Sequence, residues 1–399
     1  MSEAIIMNRQ LTLEVPEGCF SITPPALTLV GEEKKEEPNP YVRDSAHKVF
    51  GVGDEAKMNE FLLARETSAQ WRQEVPVRQM EAVLDKDQSE TGLALAFLHI
   101  GRTHTYPLRD CAISTMLDRA GIKGPALGRM QKVDLVEIVN KCFPVAMKDA
   151  TTQIRIAEGR ISAVLSSQYV IVSIPEVFEE AATVITHRFP KAVFAGGLWT
   201  HSITTCEWAL GKEGKLVEAY TAALKRHGIE AEDIQPALRI TSSDVGASGV
   251  NLTPKLVVGK DAIFLPVSGS LRMEHKAGAS IEKLLENLDT VFGTYQDKLS
   301  ELVSLLDVPI EHPEGCFDLV TKILHIPKKY AEPARESFMR GFLRGEECTA
   351  HDVYIGLSEI MFQLQIQEVT GKQALQIEDA IAGALALDWQ KHDKPLKED

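Results

Sequence analysis

Charged side chains flank a short segment that the sequence predicts to be a β-hairpin. Residues 153–165 have largely alternating polar and apolar positions, and Glu158 and Gly159 lie where a tight turn favours positive φ. Arg155 belongs to the first strand and Arg160 to the second, so both arginines flank the turn. A guanidinium group offers forked donors that suit phosphate oxygens. The hairpin is therefore a candidate phosphate-binding element.

A hydroxyl-rich corner follows the second strand and contains Ser166, Ser167 and Tyr169. Serine hydroxyls are neutral donors, and a tyrosine ring can stack on a base of single-stranded nucleic acid. Five further basic residues extend this face if the sheet folds back on itself: Arg188, Lys191, Lys255, Arg272 and Lys276. The alternative is an exposed hairpin with ordinary surface charges and a tyrosine whose ring belongs to the core.

The most enzyme-like cluster is Ser242-Ser243-Asp244, and Asp244 together with His275 could bind a metal or form an acid–base pair. The sequence favours a simpler interpretation, an Asp/Ser turn that satisfies its own backbone, with Gly246 and Gly249 permitting a bulge. The chain contains no C-x-x-C, H-E-x-x-H, phosphate-loop or G-x-S-x-G motif. We therefore predict no catalytic residue, no metal and no cofactor.

Composition limits the possible partners. The 399 residues include 43 Lys+Arg and 57 Asp+Glu, a formal charge of −14, which argues against coating nucleic acid or anionic membrane with the whole surface. When the chain is counted in successive hundreds of residues, 101–200 is the only segment with more basic than acidic side chains. No apolar run reaches the ~18 residues of a membrane span, and the first residues lack a secretory signal. A cytoplasmic protein without membrane contact is expected.

The order of sequence patterns predicts an α+β fold, with a mixed or antiparallel sheet, flanking helices and a C-terminal helical domain. Residues 1–50 are predicted to be an acidic, partly flexible arm, and 51–150 a helical region. Residues 151–277 are predicted to be a β-rich α+β core, and 278–399 the helical domain.

Within the predicted helical region, Met58, Phe61, Leu62 and Arg65 share one helix face. A second helical piece is predicted over 77–84. A helical hairpin is predicted over 107–145, beginning at Pro107.

A long amphipathic helix is predicted from Ser280 to Leu305, which would form a bundle core or pack subunits together. Thr349 and Asp352 resemble a capping box at the start of a later helix.

Three short stretches, 159–169, 240–254 and 273–278, resemble a large family of phage- and plasmid-borne proteins known as phage/plasmid-like. The resemblance rests on L-S-x-x-Y in the first stretch and S-x-V-G in the second, and it extends from about residue 90 to the C-terminus. Many members have Cys-Asn-Gly after the second motif, where this chain has 257–261, Val-Val-Gly-Lys-Asp. The resemblance implies a mobile-element context and a link to DNA replication or recombination.

These observations together predict a mobile-element accessory protein that binds DNA, single-stranded in recombination or replication, without catalysis. A homo-oligomer would line up one weak basic strip many times. One alternative is a phage-type protein that self-assembles or binds a host or phage protein instead of DNA. The other is a metal-dependent enzyme at Asp244 and His275.

Overall fold

The protein has an α+β fold in which antiparallel sheets precede a helical C-terminal region, as the sequence predicts. The predicted arm, 1–50, lies outside the described residues except for Phe50. Across the described part of the chain, no helix is both long and apolar enough to cross a membrane. The computed structural model describes residues 50–85, 91–122, 126–146, 151–211, 215–229, 234–258, 263–266, 271–275, 279–340, 347–366 and 372–396.

The first third of the described chain alternates helices with short strands. Its elements are β1 (Phe50–Val52), α1 (Glu55–Ser68), β2 (Gln70–Pro76), β3 (Met80–Leu84), β4 (Leu93–His99), β5 (Arg102–Pro107), α2 (Asp110–Arg119) and α3 (Lys132–Ala146). Strands β3, β4 and β5 form an antiparallel sheet, and α2 and α3 pack against its core.

The prediction of a helical region over 51–150 is wrong for the strands between α1 and α2. Along β3, Met80 and Ala82 are buried while Glu81 is exposed, which is the two-residue period of a strand. Met, Glu and Ala favour helices by intrinsic propensity, and tertiary packing overrides that preference here. Pro107 ends β5 rather than beginning a helix, and α2 begins at Asp110.

The predicted hairpin is confirmed as β6 (Thr151–Ala157) and β7 (Arg160–Ser166). Glu158 and Gly159 have φ values of 54° and 70°, as a two-residue hairpin turn with two positive φ angles requires. Strand β2 pairs with β6 to complete a three-stranded sheet. An isolated bridge between Leu108 and Ile161 connects this sheet to the segment that follows β5.

A large antiparallel sheet follows the hairpin. The elements of this region are α4 (Ile174–Arg188), β8 (Val193–Trp199), β9 (Thr204–Ala209), α5 (Lys215–Arg226), β10 (Gln235–Ser242), β11 (Val250–Val258), β12 (Ile263–Pro266) and β13 (Leu271–Met273). The strand order is β1-β8-β9-β10-β11-β12, and β13 also pairs with β11. Helix α4 begins after the cap Ser173, with Pro175 in its first turn, and covers one face of the sheet.

The C-terminal region is helical, as predicted, apart from one short pair of strands. It contains α6 (Ile281–Ser304), β14 (Pro309–Ile310), α7 (Pro313–Ile323), α8 (Lys328–Arg340), β15 (Cys348–Thr349), α9 (Ala350–Ile366), α10 (Lys372–Gly383) and α11 (Trp389–His392). The capping box is confirmed, because the Thr349 amide donates to the Asp352 carboxylate at 2.8 Å and the Asp352 amide donates to the Thr349 hydroxyl at 3.3 Å.

Helix α6 is the long amphipathic helix predicted from Ser280. Leu284 and Leu288 in its first half are buried in the core under the large sheet. Leu299 and Leu302 in its second half are buried in the C-terminal helical core. The apolar stripe therefore joins two cores of this chain.

Residues 393–396, the last ones that the structure describes, lie against the start of α7. The carboxylate of Asp393 accepts the amides of Glu311 and His312, at 2.8 and 2.7 Å. A Cβ added at Gly315 would lie 2.0 Å from the carbonyl oxygen of Lys394. Glycine at this position is what allows the two backbone segments to approach.

We expect Gly315→Ala to lower the free energy of unfolding by about 1–3 kcal/mol, because the methyl group overpacks this contact. Urea unfolding measures the change. Gly383→Ala is the matched control, because a Cβ there meets nothing within 4 Å. The close contact would be unimportant if both variants had the same stability.

Candidate functional site

A cleft opens where α1, the β6–β7 hairpin and the large sheet meet. Its volume is about 30 Å³, enough for a few water molecules and far below the ~300–1,000 Å³ of a small-molecule pocket. Its charged and aromatic lining consists of Arg65, Glu66, Trp71, Arg155, Tyr169, Trp199 and Asp244. The cleft therefore combines guanidinium groups, carboxylates and rings at one opening.

Arg155 is buried at the base of this cleft. Its guanidinium lies 2.5 Å from the carboxylate of Asp244 and donates to the hydroxyl of Ser162 at 3.1 Å. Only 3% of the Arg155 side chain is exposed, so the carboxylate provides the compensation that a buried cation needs. The ion pair connects the hairpin to the loop between β10 and β11.

The loop that contains Asp244 is the self-satisfied turn that the sequence favours. The Ser243 hydroxyl accepts the amides of Val245 and Ala247, at 3.2 and 3.1 Å, and donates to the carbonyl oxygen of Ser202 at 2.7 Å. Gly246 has a φ of 75°. These contacts hold Asp244 in place to meet Arg155.

Three rings stack in a row at the cleft. The centroids of Trp71 and Tyr169 are 6.3 Å apart with an interplanar angle of 24°, and those of Tyr169 and His275 are 4.9 Å apart at 15°. The Tyr169 hydroxyl donates to the carbonyl oxygen of Ser243 at 3.2 Å. Burial, with the negative charge of Asp244 nearby, raises the pKa of Tyr169, so the tyrosine remains a neutral donor.

A second charged cluster lies beside the first and is built on the hairpin turn. Arg65 and Arg109 each contact a different oxygen of the Glu158 carboxylate, at 2.6 and 2.5 Å. The Arg65 guanidinium also lies 3.9 Å from the ring centroid of Trp199, and the Arg109 guanidinium is 3.3 Å from His201 Nε2. One carboxylate is thus held between two arginines.

The environment of this cluster favours the charged form of Glu158. Burial alone would raise the pKa of Glu158, but the attraction of Arg65 and Arg109 outweighs it, so the pKa lies below its ordinary value. Burial lowers the pKa of Arg65 despite the opposing attraction of Glu158. The pair remains ionised at neutral pH, because an arginine does not lose its proton in that range.

The structure brings some of the predicted nucleic-acid residues together. Arg155 and Tyr169 both line the cleft. Ser166 and Ser167 lie next to it, where their carbonyl oxygens accept from the Gln153 side-chain amide at 3.2 and 3.1 Å. Arg160 is half-buried at the beginning of β7.

Of the remaining five predicted residues, Arg188, Lys191 and Lys255 are absent from the cleft lining. Arg188 pairs with Asp289 at 2.8 Å on the exposed side of α4, and Lys191 is exposed near Gly211. Arg272 lies in β13, where its side chain is outside the described residues, and Lys276 is outside them altogether.

The prediction for Lys255 as a surface contact is wrong, because this lysine is buried. Its ammonium group lies 3.5 Å from Glu207 and 3.3 Å from Glu378, a residue of α10. Arg239 on β10 also pairs with Glu378. Burial and the neighbouring Arg239 lower the pKa of Lys255 to about 7. The cluster ties the large sheet to the C-terminal helices.

Asp244 and His275 lie near the same tyrosine but contact different groups. Asp244 faces Arg155, and His275 Nδ1 lies 3.3 Å from the carbonyl oxygen of Val170. Within the described residues, no group of three or more histidine, cysteine or carboxylate side chains is arranged to hold a metal ion. The residues of the alternative metal-dependent enzyme, Asp244 and His275, take part in the charge pairing and the ring stacking of the cleft.

Several residues of the cleft and of the adjacent charged cluster are missing from the sequence-based prediction: Arg65, Trp71 and Trp199 in the cleft, and Arg109, Glu158 as a charge partner and His201 in the cluster. One signal was present, because Arg65 shares the apolar face of α1 with Met58 and Leu62. A cation on an apolar helix face predicts a buried partner. The sequence gives no comparable sign for Trp71 or Trp199.

No family model, curated protein or solved structure matches this chain. The resemblance to phage- and plasmid-borne proteins therefore stays a prediction. The geometry of the cleft is the evidence on which a function can be argued.

The stability of the wild-type protein should rise from pH 7 to pH 9 through Lys255. Its pKa is about 7 in the folded state and 10.5 ordinarily, so between these values the unfolded chain holds the additional proton. Raising the pH then favours the folded state, by up to about 1.4 kcal/mol per pH unit. Urea unfolding at pH 7, 8 and 9 measures this slope.

Lys255→Met should remove that contribution. The difference in free energy of unfolding between the variant and the wild type should therefore change from pH 7 to pH 9. Lys283→Met is the matched control, because Lys283 is an exposed lysine that pairs with Glu286 on the surface of α6. It should keep the wild-type slope. Parallel curves for the wild type and Lys255→Met would show that Lys255 does not titrate in this range.

Proposed function

We propose that this protein binds single-stranded nucleic acid at the cleft, as a non-catalytic accessory protein of a mobile element. The observation that supports this most directly is the presence of stacked rings and guanidinium groups at one small opening. Stacking on aromatic rings and contact between arginine and phosphate are the two means by which proteins hold single strands without reading every base.

The size of the cleft favours a polymer over a metabolite. A cavity volume of about 30 Å³ cannot enclose a substrate of ordinary size. A strand that lies across the opening needs to place only one phosphate or the edge of one base inside. Trp71 is half-buried and stacks on Tyr169, and in the proposed complex a base stacks on the exposed part of Trp71.

The charges of the cleft are balanced, which makes the proposed binding weak for one copy. Arg65 and Arg155 are opposed by Glu66 and Asp244 in the lining. A homo-oligomer overcomes this weakness by presenting several copies to one strand. The net charge of −14 also favours contact through a local site over coating of the whole surface. A cytoplasmic location belongs to the same proposal.

Fluorescence anisotropy with labelled single-stranded and duplex oligonucleotides tests the proposal, at about 50 and 200 mM salt. We expect single strands to bind more tightly, with log K falling against log salt at a slope of about −0.7 for each phosphate contacted. Trp71→Leu should weaken binding by roughly 5- to 150-fold, which corresponds to the ~1–3 kcal/mol of one stacked base.

The matched control is Tyr106→Leu, which removes another half-buried aromatic ring from a strand outside the cleft. It should bind as the wild type does. An equal loss in both variants would place the binding surface elsewhere. Absence of binding at 50 mM salt would reject the proposal and favour a protein partner, with the acidic terminal segments as the first regions to test by pull-down.

A further inference from the structure

The carboxylate of Glu158 occupies a place that suits an external phosphate. Its two oxygens are held by two different arginines, Arg65 at 2.6 Å and Arg109 at 2.5 Å. Two guanidinium groups that share one anion are a frequent way of binding phosphate in proteins. We propose that Arg65 and Arg109 form a phosphate-binding site for which Glu158 is the built-in competitor. This inference rests on the proposed function, because it names the group of the nucleic acid that enters.

The arginines are the fixed half of the site. Only 12% of the Arg65 side chain and 4% of the Arg109 side chain are exposed. The ring of Trp199 lies under the Arg65 guanidinium, and His201 Nε2 lies 3.3 Å from Arg109 Nη1. These contacts orient both cations toward the same point whether or not a carboxylate is there.

The Glu158 carboxylate is the part of the site that can move away from the arginines. Its side chain is 50% exposed, and it projects from the two-residue turn of the hairpin rather than from a packed element. A rotation about its side-chain bonds takes the carboxylate into water without moving β6 or β7. Such a rotation would leave both guanidinium groups facing the vacated position, so a phosphate that enters there restores the charge compensation that buried cations need.

The surrounding charges favour an anion at that position. With Glu158 displaced, Arg65 and Arg109 contribute two positive charges, and Arg155 remains paired with Asp244. Two acids line the cleft: Glu66, which accepts a hydrogen bond from the Ser173 hydroxyl at 2.8 Å, and Asp244, whose charge acts on Arg65 as well as on Arg155. A terminal phosphate carries up to two negative charges and so matches the two arginines, whereas a phosphodiester carries one charge, as the Glu158 carboxylate does.

The ligand class is a phosphate group, supplied either by the 5′ end of a strand or by its phosphodiester backbone. Because Glu158 competes for the site, the apparent affinity is the intrinsic affinity reduced by the fraction of molecules in which Glu158 has left. Removing the competing charge should therefore tighten phosphate binding.

Isothermal titration of the full chain with inorganic phosphate, at constant ionic strength, tests the inference. We expect Glu158→Gln to bind phosphate about tenfold more tightly than the wild type, as a competent fraction near one tenth would give. Glu137→Gln is the matched control, because Glu137 is an exposed glutamate paired with Lys141 on the surface of α3. It should bind phosphate as the wild type does.

Folding is checked in the same samples by thermal unfolding. Glu158→Gln should unfold at a lower temperature than the wild type without phosphate, and phosphate should raise its Tm more than that of the wild type. Glu158→Asp provides a milder change if the amide variant does not fold, because the shorter carboxylate cannot reach both arginines. Its affinity for phosphate should lie between those of the wild type and Glu158→Gln.

Oligonucleotides with and without a 5′-phosphate distinguish the two sources. If Glu158→Gln gains affinity only for the phosphorylated strand, the site binds the phosphate at the strand end. If it gains affinity equally for both oligonucleotides, the site binds the phosphodiester backbone. Equal phosphate affinity in wild type, Glu158→Gln and Glu158→Asp would overturn the inference, even if single strands bind at Trp71. Tighter phosphate binding by Glu158→Gln, with no binding of single strands, would keep the phosphate site and reject the proposed function.

Discussion

The burial of guanidinium groups constrains how the parts of this protein come together. Arg65, Arg109 and Arg155 leave water when α1, the hairpin and the large sheet pack, and a buried cation without a partner is strongly destabilising. Glu158 and Asp244 provide the compensating charges from two different loops. The positions of these loops are therefore fixed by electrostatics as well as by apolar packing, and the cleft is the place where the pairs meet.

Local sequence patterns were sufficient for the elements whose environment repeats along the chain. The hairpin was predictable because its alternating residues flank a turn that contains Gly159, a residue that adopts positive φ without strain. Helix α6 was predictable because its apolar stripe is long and unbroken. Strands β3 to β5 were not. Strand β3 consists of residues that favour helices when considered alone, and β4 is a nearly continuous apolar run, in which periodicity does not distinguish a strand from a helix.

The candidate site was predicted in two separate pieces. Arg155 and Tyr169 were assigned to nucleic acid, and Asp244 and His275 to a possible enzyme, whereas the structure places all four around one cleft. No local pattern reveals this, because Arg155 and Asp244 are distant in sequence and pair only after the sheet has formed. Arg65 and Glu158 are likewise 93 positions apart. Partner choice over such distances is set by the topology.

Helix α6 has a consequence for how this protein comes apart. Its first half completes the core under the large sheet and its second half completes the C-terminal core, with no break between them. Fraying of either end exposes apolar surface in a different core, so loss of one core weakens the other through a shared backbone. We therefore expect the two cores to unfold together, and a chain cut within α6 to yield two fragments that each lack part of their interior.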